Sequence, residues 1–496
     1  MSEPIVTISS GQLRGKRTEH GVAFLGVPYA EPAVGAARFA AAQPRQPWDG
    51  VRDATEHGPT SLQGPYPAGM DRLLPNAIDP GDDYLNVAVW TPDPGAQGLP
   101  VVVWIHGGAF VRGANSIATY DGDAFARDGV VLVGINYRLG VPGFPVLPDA
   151  PTNLGIRDQI AALEWVRDNI AAFGGDPGKV TIMGESAGGM SVATLMATPQ
   201  ARGLFHRAII QSGGGVSAGA PDDLGKVTAE VARVLGVQPT AAALGAVEPD
   251  RLLQAQTEVS LAMILDPDPA RWGATTITGG FGIMPVFPAI DGDLLSGAPE
   301  RLIGSGSAAG IPLLIGSTTQ EFNLWSIGLG MGAQITEDTL RPALARFGVP
   351  AQVVDGYAER RPGAAAADVF SAVVTDLLFT QPTLRLAQGQ LDHAPVHLYE
   401  FDWRTTVQAL GACHALELPF VFDTLAAARE GMAGSDAPHE LATQMHAAWV
   451  RFATDGEPGW AAYDTERRPV QRFGDEIATV NDPRREDRQA WAGEPG

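Results

Sequence analysis

The 496-residue chain carries a formal net charge of −22 and a sequence pI near 4.7. Such a surface repels phosphates, which argues against nucleic-acid and anionic-membrane partners. Hydrophobic residues make up 45% and charged residues 18%, a globular balance rich enough for a large core. The single cysteine, Cys413, leaves no intramolecular disulfide and fits a reducing compartment. The opening residues Met1-Ser2-Glu3-Pro4 lack the basic and apolar regions of a secretion signal. No apolar run reaches the length of a membrane span, no Asn-x-Ser/Thr acceptor is present, and the tail from Asn481 to Gly496 is polar. The expected location is the cytoplasm.

In chain order, Ile5–Ile8 and Gly11–Gly15 read as a strand pair around a glycine turn. Val22–Val27 reads as a strand ended by Pro28. From Ala30 to Asp79 the chain is dense in Pro, Gly and Ala, with Phe39, Trp48, Tyr66 and Leu73 interspersed. This pattern predicts ordered loops laid over a core. Tyr84–Trp90 is a strand with mixed faces. Val101–Ile105 and Val130–Ile135 are continuously apolar and β-branched, as in strands buried on both faces of a parallel sheet. The 153–173 segment has helical periodicity and stops at Gly174-Gly175-Asp176-Pro177. Val180–Met183, Phe205–Gln211, Ile311–Gly316 and Val396–Trp403 are further strands, and Val396–Trp403 is read as the last long one. An amphipathic helix over Glu440–Thr454 is expected to close the chain.

Alternating strands and helices predict an α/β fold with right-handed crossovers, whose sites lie beyond the carboxyl ends of the strands. Segments 217–287 and 323–395 are different. They hold helical pieces at Val227–Leu235, at Leu252–Leu265 and between Thr336 and Thr380. They are expected to be cap insertions on a single domain spanning residues 1–496.

The chemistry centres on Gly184-Glu185-Ser186-Ala187-Gly188, a G-x-S-x-G between an apolar strand and a small-residue helix. Small neighbours let the backbone turn sharply and leave a serine hydroxyl clear of it. Such a serine needs a base, and an acid to orient the base, in the chain order Ser, Asp/Glu, His. After the 311–316 strand, Glu321 is the only carboxylate of Ser317–Glu321. Five histidines follow it. His397 lies inside a strand, His393 at the wrong end of one, and His439 and His446 in the terminal helix. His414 follows a strand end and is the candidate base. His106-Gly107-Gly108-Ala109-Phe110 follows the 101–105 strand. The N–H groups of Gly108 and Ala109, with that of Ala187, are candidates for an oxyanion hole.

These residues resemble the type-B carboxylesterase/lipase family, which includes bacterial para-nitrobenzyl esterases and the cholinesterases. The resemblance runs through nearly the whole chain. It is carried by Phe24–Pro32 with Arg38-Phe39, by Asp83–Val87, by Trp104–Phe110 and by Asn136–Gly140. It continues through Asn153–Val166, Phe173–Pro177, Gly184–Gly189, Gln211–Gly213 and His414–Phe420. It implies an α/β-hydrolase fold with a mostly parallel twisted sheet flanked by helices, a triad of Ser186, Glu321 and His414, and oxyanion donors at Gly108, Ala109 and Ala187. It also implies supporting roles for Glu185 and Ser212 in a buried polar network. The chain departs from the family at Ser61 and Tyr84, where secreted members carry a disulfide. It departs again at Gln320, where Asp is common, and at Trp460-Ala461-Ala462-Tyr463.

The resulting expectation is a serine carboxylesterase acting on small, uncharged esters with short acyl or aromatic groups. No metal or cofactor is called for. Carbamate, amide or lactone hydrolysis by the same triad is the near alternative, and a non-catalytic binding protein on the same fold the distant one. Phe110, Phe281, Met284, Phe322 and Trp325 are candidates for an apolar pocket. The sequence does not report an oligomeric state.

Overall fold

The computed structural model describes residues 3–215 and 218–492. Val216 and Ser217, where the first cap segment is expected to begin, lie outside the described residues, as do the two N-terminal and four C-terminal residues. Among the described residues an eleven-stranded sheet forms the centre. Its spatial order is Ala478–Asn481, Pro469–Phe473, Val396–Phe401, Leu313–Thr318, Arg207–Gln211, Gly175–Glu185, Leu99–Ile105, Val131–Ile135, Asn86–Thr91, Val22–Pro28 and Lys16–Arg17. From Pro469–Phe473 to Val131–Ile135 every neighbouring pair is parallel. The outer pairs are antiparallel. This is the α/β-hydrolase architecture, a mixed and mainly parallel sheet covered by helices.

The sequence dictates this centre through hydrophobicity on both strand faces. Val101 to Ile105 and Val131 to Val133 are fully buried. Helices Leu154–Asn169, Ala187–Ala197 and His439–Asp455 cover the faces with buried apolar residues such as Leu163, Val166, Leu195 and Trp449. A small three-stranded sheet pairs Ile5–Ile8 with Gly11–Arg14, and adds Val51–Asp53 from the loop-rich 30–79 region. No helix among the described residues is long and apolar enough to cross a membrane.

One expectation about the chain's end is corrected: the helix over 439–455 does not close the chain. Strands Pro469–Phe473 and Ala478–Asn481 and helix Arg485–Trp491 follow it. The outer strand is mostly exposed and flanked by charge, as sheet edges are, so it lacks the apolar run that marks the inner strands. Charge anchors this end instead. Arg484 donates to Glu400 Oε1 at 2.7 Å and to Asp376 Oδ1 at 2.8 Å, while Arg472 reaches Glu400 Oε2 at 3.2 Å.

Arg138 and Asp158 form a buried ion pair. The guanidinium donates to Asp158 at 2.8 and 2.6 Å, and its remaining N–H groups reach the carbonyls of Arg38 and Ala40. It thereby fastens the N-terminal loops to helix Leu154–Asn169. Removing one partner of a buried pair strands the other charge. Asp158→Ala is expected to destabilise the fold by about 3–5 kcal/mol, measured as a fall in the urea midpoint.

Candidate active site

Strand Gly175–Glu185 ends at Ser186, which adopts φ 55° and ψ −124° before helix Ala187–Ala197 begins. This is a conformation a non-glycine residue adopts only under strain, on the order of 1–3 kcal/mol. The surroundings hold it. The N–H of Ser186 donates to the Gln211 carbonyl at 2.9 Å, and its own carbonyl accepts from Met190 at 2.8 Å. The turn cannot tolerate bulk, because a Cβ at Gly188 would stand 2.0 Å from the Ile105 carbonyl.

The acid lies at the end of the strand two places away. Glu321 is fully buried. Its Oε1 accepts from Thr318 N at 2.8 Å and from Ser212 Oγ at 2.5 Å, and its Oε2 lies 2.5 Å from Nδ1 of His414. A carboxylate this close places the imidazole proton on Nδ1 and leaves Nε2 as an acceptor. The two loops are stitched together by backbone. His414 N donates to the Glu321 carbonyl at 3.2 Å and Gln320 N to the Ala412 carbonyl at 2.9 Å. The departure at position 320 thus has a physical role, since Gln320 Oε1 accepts from Ala412 N at 3.1 Å. The His414 ring packs against both Trp325 and Phe379, with centroids 4.8 and 4.9 Å away.

Two more carboxyls are buried here. Glu185 Oε1 lies 3.0 Å from His414 Nε2. Burial first, and then the Glu321 charge, push the Glu185 carboxyl well above the usual range. Glu417 accepts from Gln211 Nε2 at 3.1 Å. Its carboxyl is pushed up to about 8 by burial first and then by Glu185 and Glu321.

The glycine loop follows strand Leu99–Ile105. Gly108, Ala109 and Phe110 all have positive φ, at 109°, 57° and 59°. A Cβ at Gly108 would strike the Arg112 carbonyl at 2.2 Å, and one at Gly107 would come within 3.2 Å of Ser186 Cβ. The loop therefore lies directly against the serine. Among the described residues no protein acceptor takes the N–H of Gly108 or Ala109, and Ala187 opens its helix, where N–H groups lack intrahelical partners. Gln63, which the sequence reading did not single out, clamps the far end of this loop. It exchanges two hydrogen bonds with the backbone of Gly113, at 2.9 and 2.8 Å.

Ser186, His414, Glu185 and the 107–109 loop all line one cavity of about 760 Å³. Phe281, Met284 and Trp325 line it too. Phe110 and Phe322 do not, and the pocket expectation for them is corrected. The left-handed turn carries Phe110 into the core, where its ring packs edge-on against Phe144 at 4.8 Å. Phe322 is fully buried behind Phe281, Trp325 and Phe370. Tyr66, Met70, Leu378, Phe379 and Met432 also face the cavity. They come from loops and helices distant in sequence, and no spacing rule marks them.

The carboxylesterase family model matches residues 2–491. The chain belongs to the carboxylesterase family. It is 38% identical to the para-nitrobenzyl esterase of Bacillus subtilis (strain 168), with 99% of this chain and 98% of that one aligned. It is 34% identical to the phenmedipham hydrolase of Pseudarthrobacter oxydans, over 97% of each. Its fold is similar to the crystal structure of the Geobacillus stearothermophilus carboxylesterase EST55, at a TM-score of 0.85 and 36% identity, covering 98% of this chain and 99% of that one. Like its family, the chain is a serine hydrolase of carboxylic ester bonds. The two positions at which the chain departs from the disulfide that the resemblance implies for secreted members are hydrogen-bonded here. Ser61 Oγ donates to the Tyr137 carbonyl and the Tyr84 hydroxyl to the Ala33 carbonyl, each at 2.6 Å.

The buried carboxyls set a pH dependence. Between an ordinary value of 4.5 and about 8, folded Glu417 keeps a proton that the unfolded chain has lost. Stability therefore drains as pH rises through that window. Glu417→Gln keeps an acceptor for Gln211 and removes the titration. The melting temperature of this variant relative to wild type is expected to climb between pH 5 and pH 9.

Proposed function

We propose that this carboxylesterase hydrolyses small, uncharged carboxylic esters with short or aromatic acyl groups, through an acyl-enzyme on Ser186. The observation that carries the reading is the 2.5 Å contact between His414 Nδ1 and Glu321 Oε2, with His414 and Ser186 on one cavity wall. Ser186 Oγ attacks the ester carbonyl while His414 Nε2 takes its proton, and Glu321 stabilises the imidazolium. The N–H groups of Gly108, Ala109 and Ala187 receive the developing oxyanion, and each such donor is worth roughly 100- to 1,000-fold in rate. His414 returns the proton to the leaving alcohol, and water then repeats the sequence on the acyl-enzyme.

Ser212 supports Glu321 through its 2.5 Å hydrogen bond. Glu185 is most useful neutral. An ionised carboxylate 3.0 Å from Nε2 would compete for the proton that the leaving alcohol needs, and burial with the Glu321 charge opposes its ionisation. The apolar lining from Phe281, Met284 and Trp325 supports the substrate class. The similarity to a phenmedipham hydrolase supports carbamates as a second class for the same triad. The lone, buried Cys413 supports a reducing, cytoplasmic setting.

A fluorophosphonate probe is expected to label the wild-type enzyme and not Ser186→Ala; a folded wild type that resists labelling would overturn the assignment. Glu321→Ala is expected to lower kcat on the order of 10⁴-fold. Among para-nitrophenyl esters from acetate to palmitate, kcat/KM is expected to peak at short acyl chains, and a rise toward palmitate contradicts the pocket reading.

A further inference from the structure

Arg112 stands out among the half-buried and buried cations. The buried arginines of the fold are satisfied, Arg138 by Asp158 and Arg38 by the Leu244 and Val247 carbonyls, and the half-buried Arg484 pairs with Glu400 and Asp376. Arg112 lines the active-site cavity, yet no carboxylate lies within ion-pair distance of it among the described residues, and its Nε is buried without a hydrogen-bond partner. Desolvation lowers its pKa, and the only group acting against that is the Tyr66 phenol. Its guanidinium stacks over the Tyr66 ring, 4.7 Å from the centroid. The Tyr66 side chain faces the same cavity, and its hydroxyl makes no hydrogen bond among the described residues.

The arginine is not free to leave. Its N–H donates to the Gly108 carbonyl at 3.1 Å, and its own carbonyl and Cγ crowd the space beside Gly108. The oxyanion loop fixes the backbone from which this side chain springs, and the Tyr66 ring holds the guanidinium over its face before any ligand arrives. Leaving a half-buried cation unpaired is costly, and a stacked phenol offsets only part of that cost. The charge at the cavity rim is mixed and exposed, from Asp71, Arg72, Arg385 and Glu430, and does not neutralise it. In a chain of net charge −22, an open cation inside the reaction cavity is a selective feature for a negatively charged group.

We propose that Arg112, with the Tyr66 hydroxyl, forms a carboxylate subsite, so that the enzyme also takes esters bearing a free carboxylate remote from the scissile bond, as in monoesters of dicarboxylic acids. The inference rests on ester hydrolysis at Ser186 and adds a second class to the uncharged esters. The planar fork of arginine suits a carboxylate bidentately, which lysine's point charge does not reproduce.

The test compares monoethyl succinate, glutarate and adipate with their isosteric primary amides, and repeats the comparison with acetyl esters of ω-hydroxy acids and of the matching ω-hydroxy amides. The quantity read is the acid-to-amide ratio of kcat/KM within each enzyme, which cancels any general loss caused by a substitution. In wild type this ratio is expected to exceed one by roughly 10-fold or more in at least one series. The series that shows it reveals whether the carboxylate lies on the acyl or the alcohol side. Arg112→Met is expected to bring the ratio to or below one, and Arg112→Lys to restore part of it. A wild-type ratio at or below one in both series, or a ratio unchanged in Arg112→Met, overturns the subsite. Failure of ester hydrolysis itself would show separately, as loss of turnover on acids and amides alike together with no fluorophosphonate labelling of Ser186.

Discussion

The site depends on the register of adjacent parallel strands. Ile105 pairs with Gly184, Glu185 with Gln211, Gln211 with Gly316, and Thr318 with Phe401. The carboxyl ends of these strands therefore finish almost level, about 5 Å apart sideways. Each end delivers one part of the machinery: the glycine loop, Ser186, Ser212, Glu321 and, from the loop beyond the last of them, His414. A slip of one residue in any pairing would turn every side chain of that strand to the opposite face. Burial on both faces makes such a slip prohibitive, so the hydrophobic sheet fixes the geometry of the polar groups at its strand ends.

That geometry crowds three carboxyls around one imidazole, and the structure separates them by their surroundings. Glu321 has two hydrogen-bond donors on one oxygen and the imidazole at the other. Glu185 and Glu417 are desolvated and face the Glu321 charge, so both are driven toward the neutral acid. One negative charge therefore sits opposite His414 Nδ1, where it can stabilise an imidazolium. The neighbour of Nε2 is left without a charge that would trap the proton. The strain at Ser186 is tolerated for a related reason: hydrogen bonds to Gln211 and Met190 hold a conformation the residue would not choose alone.

How much was legible in the sequence follows from this division of labour. The inner strands were readable because they are buried on both faces and written in Val, Ile and Leu. Once their ends were known, Glu321 stood alone in its loop, and His414 was the histidine left beyond a strand end. The strands at 469–473 and 478–481 were missed because they are short and mixed in composition: the first interrupts its apolar residues with Gln471 and Arg472, and the outer one is mostly exposed, as a sheet edge is. Phe110 and Phe322 were misplaced because closeness in sequence to the site was taken for closeness in space. A left-handed backbone at Phe110 sends its ring the other way. Gln63 and Gln320, which hold the loops that carry the site, look in the sequence like any loop glutamine.

The same division separates chemistry from selectivity. The reacting groups stand on strand ends inside one cooperative core, where a change is felt as lost stability or lost rate. The cavity wall opposite them is assembled from Tyr66 and Met70, from Phe281 and Met284, from Phe379 and from Met432. These segments share no register and are held mainly by packing, which tolerates exchange of side chains of similar volume. A family built this way can keep acyl transfer constant while its substrates change. Arg112 sits on the boundary between the two regimes. Its backbone belongs to the oxyanion loop and its side chain to the wall, so the one residue ties what the cavity admits to the loop beside the reacting serine.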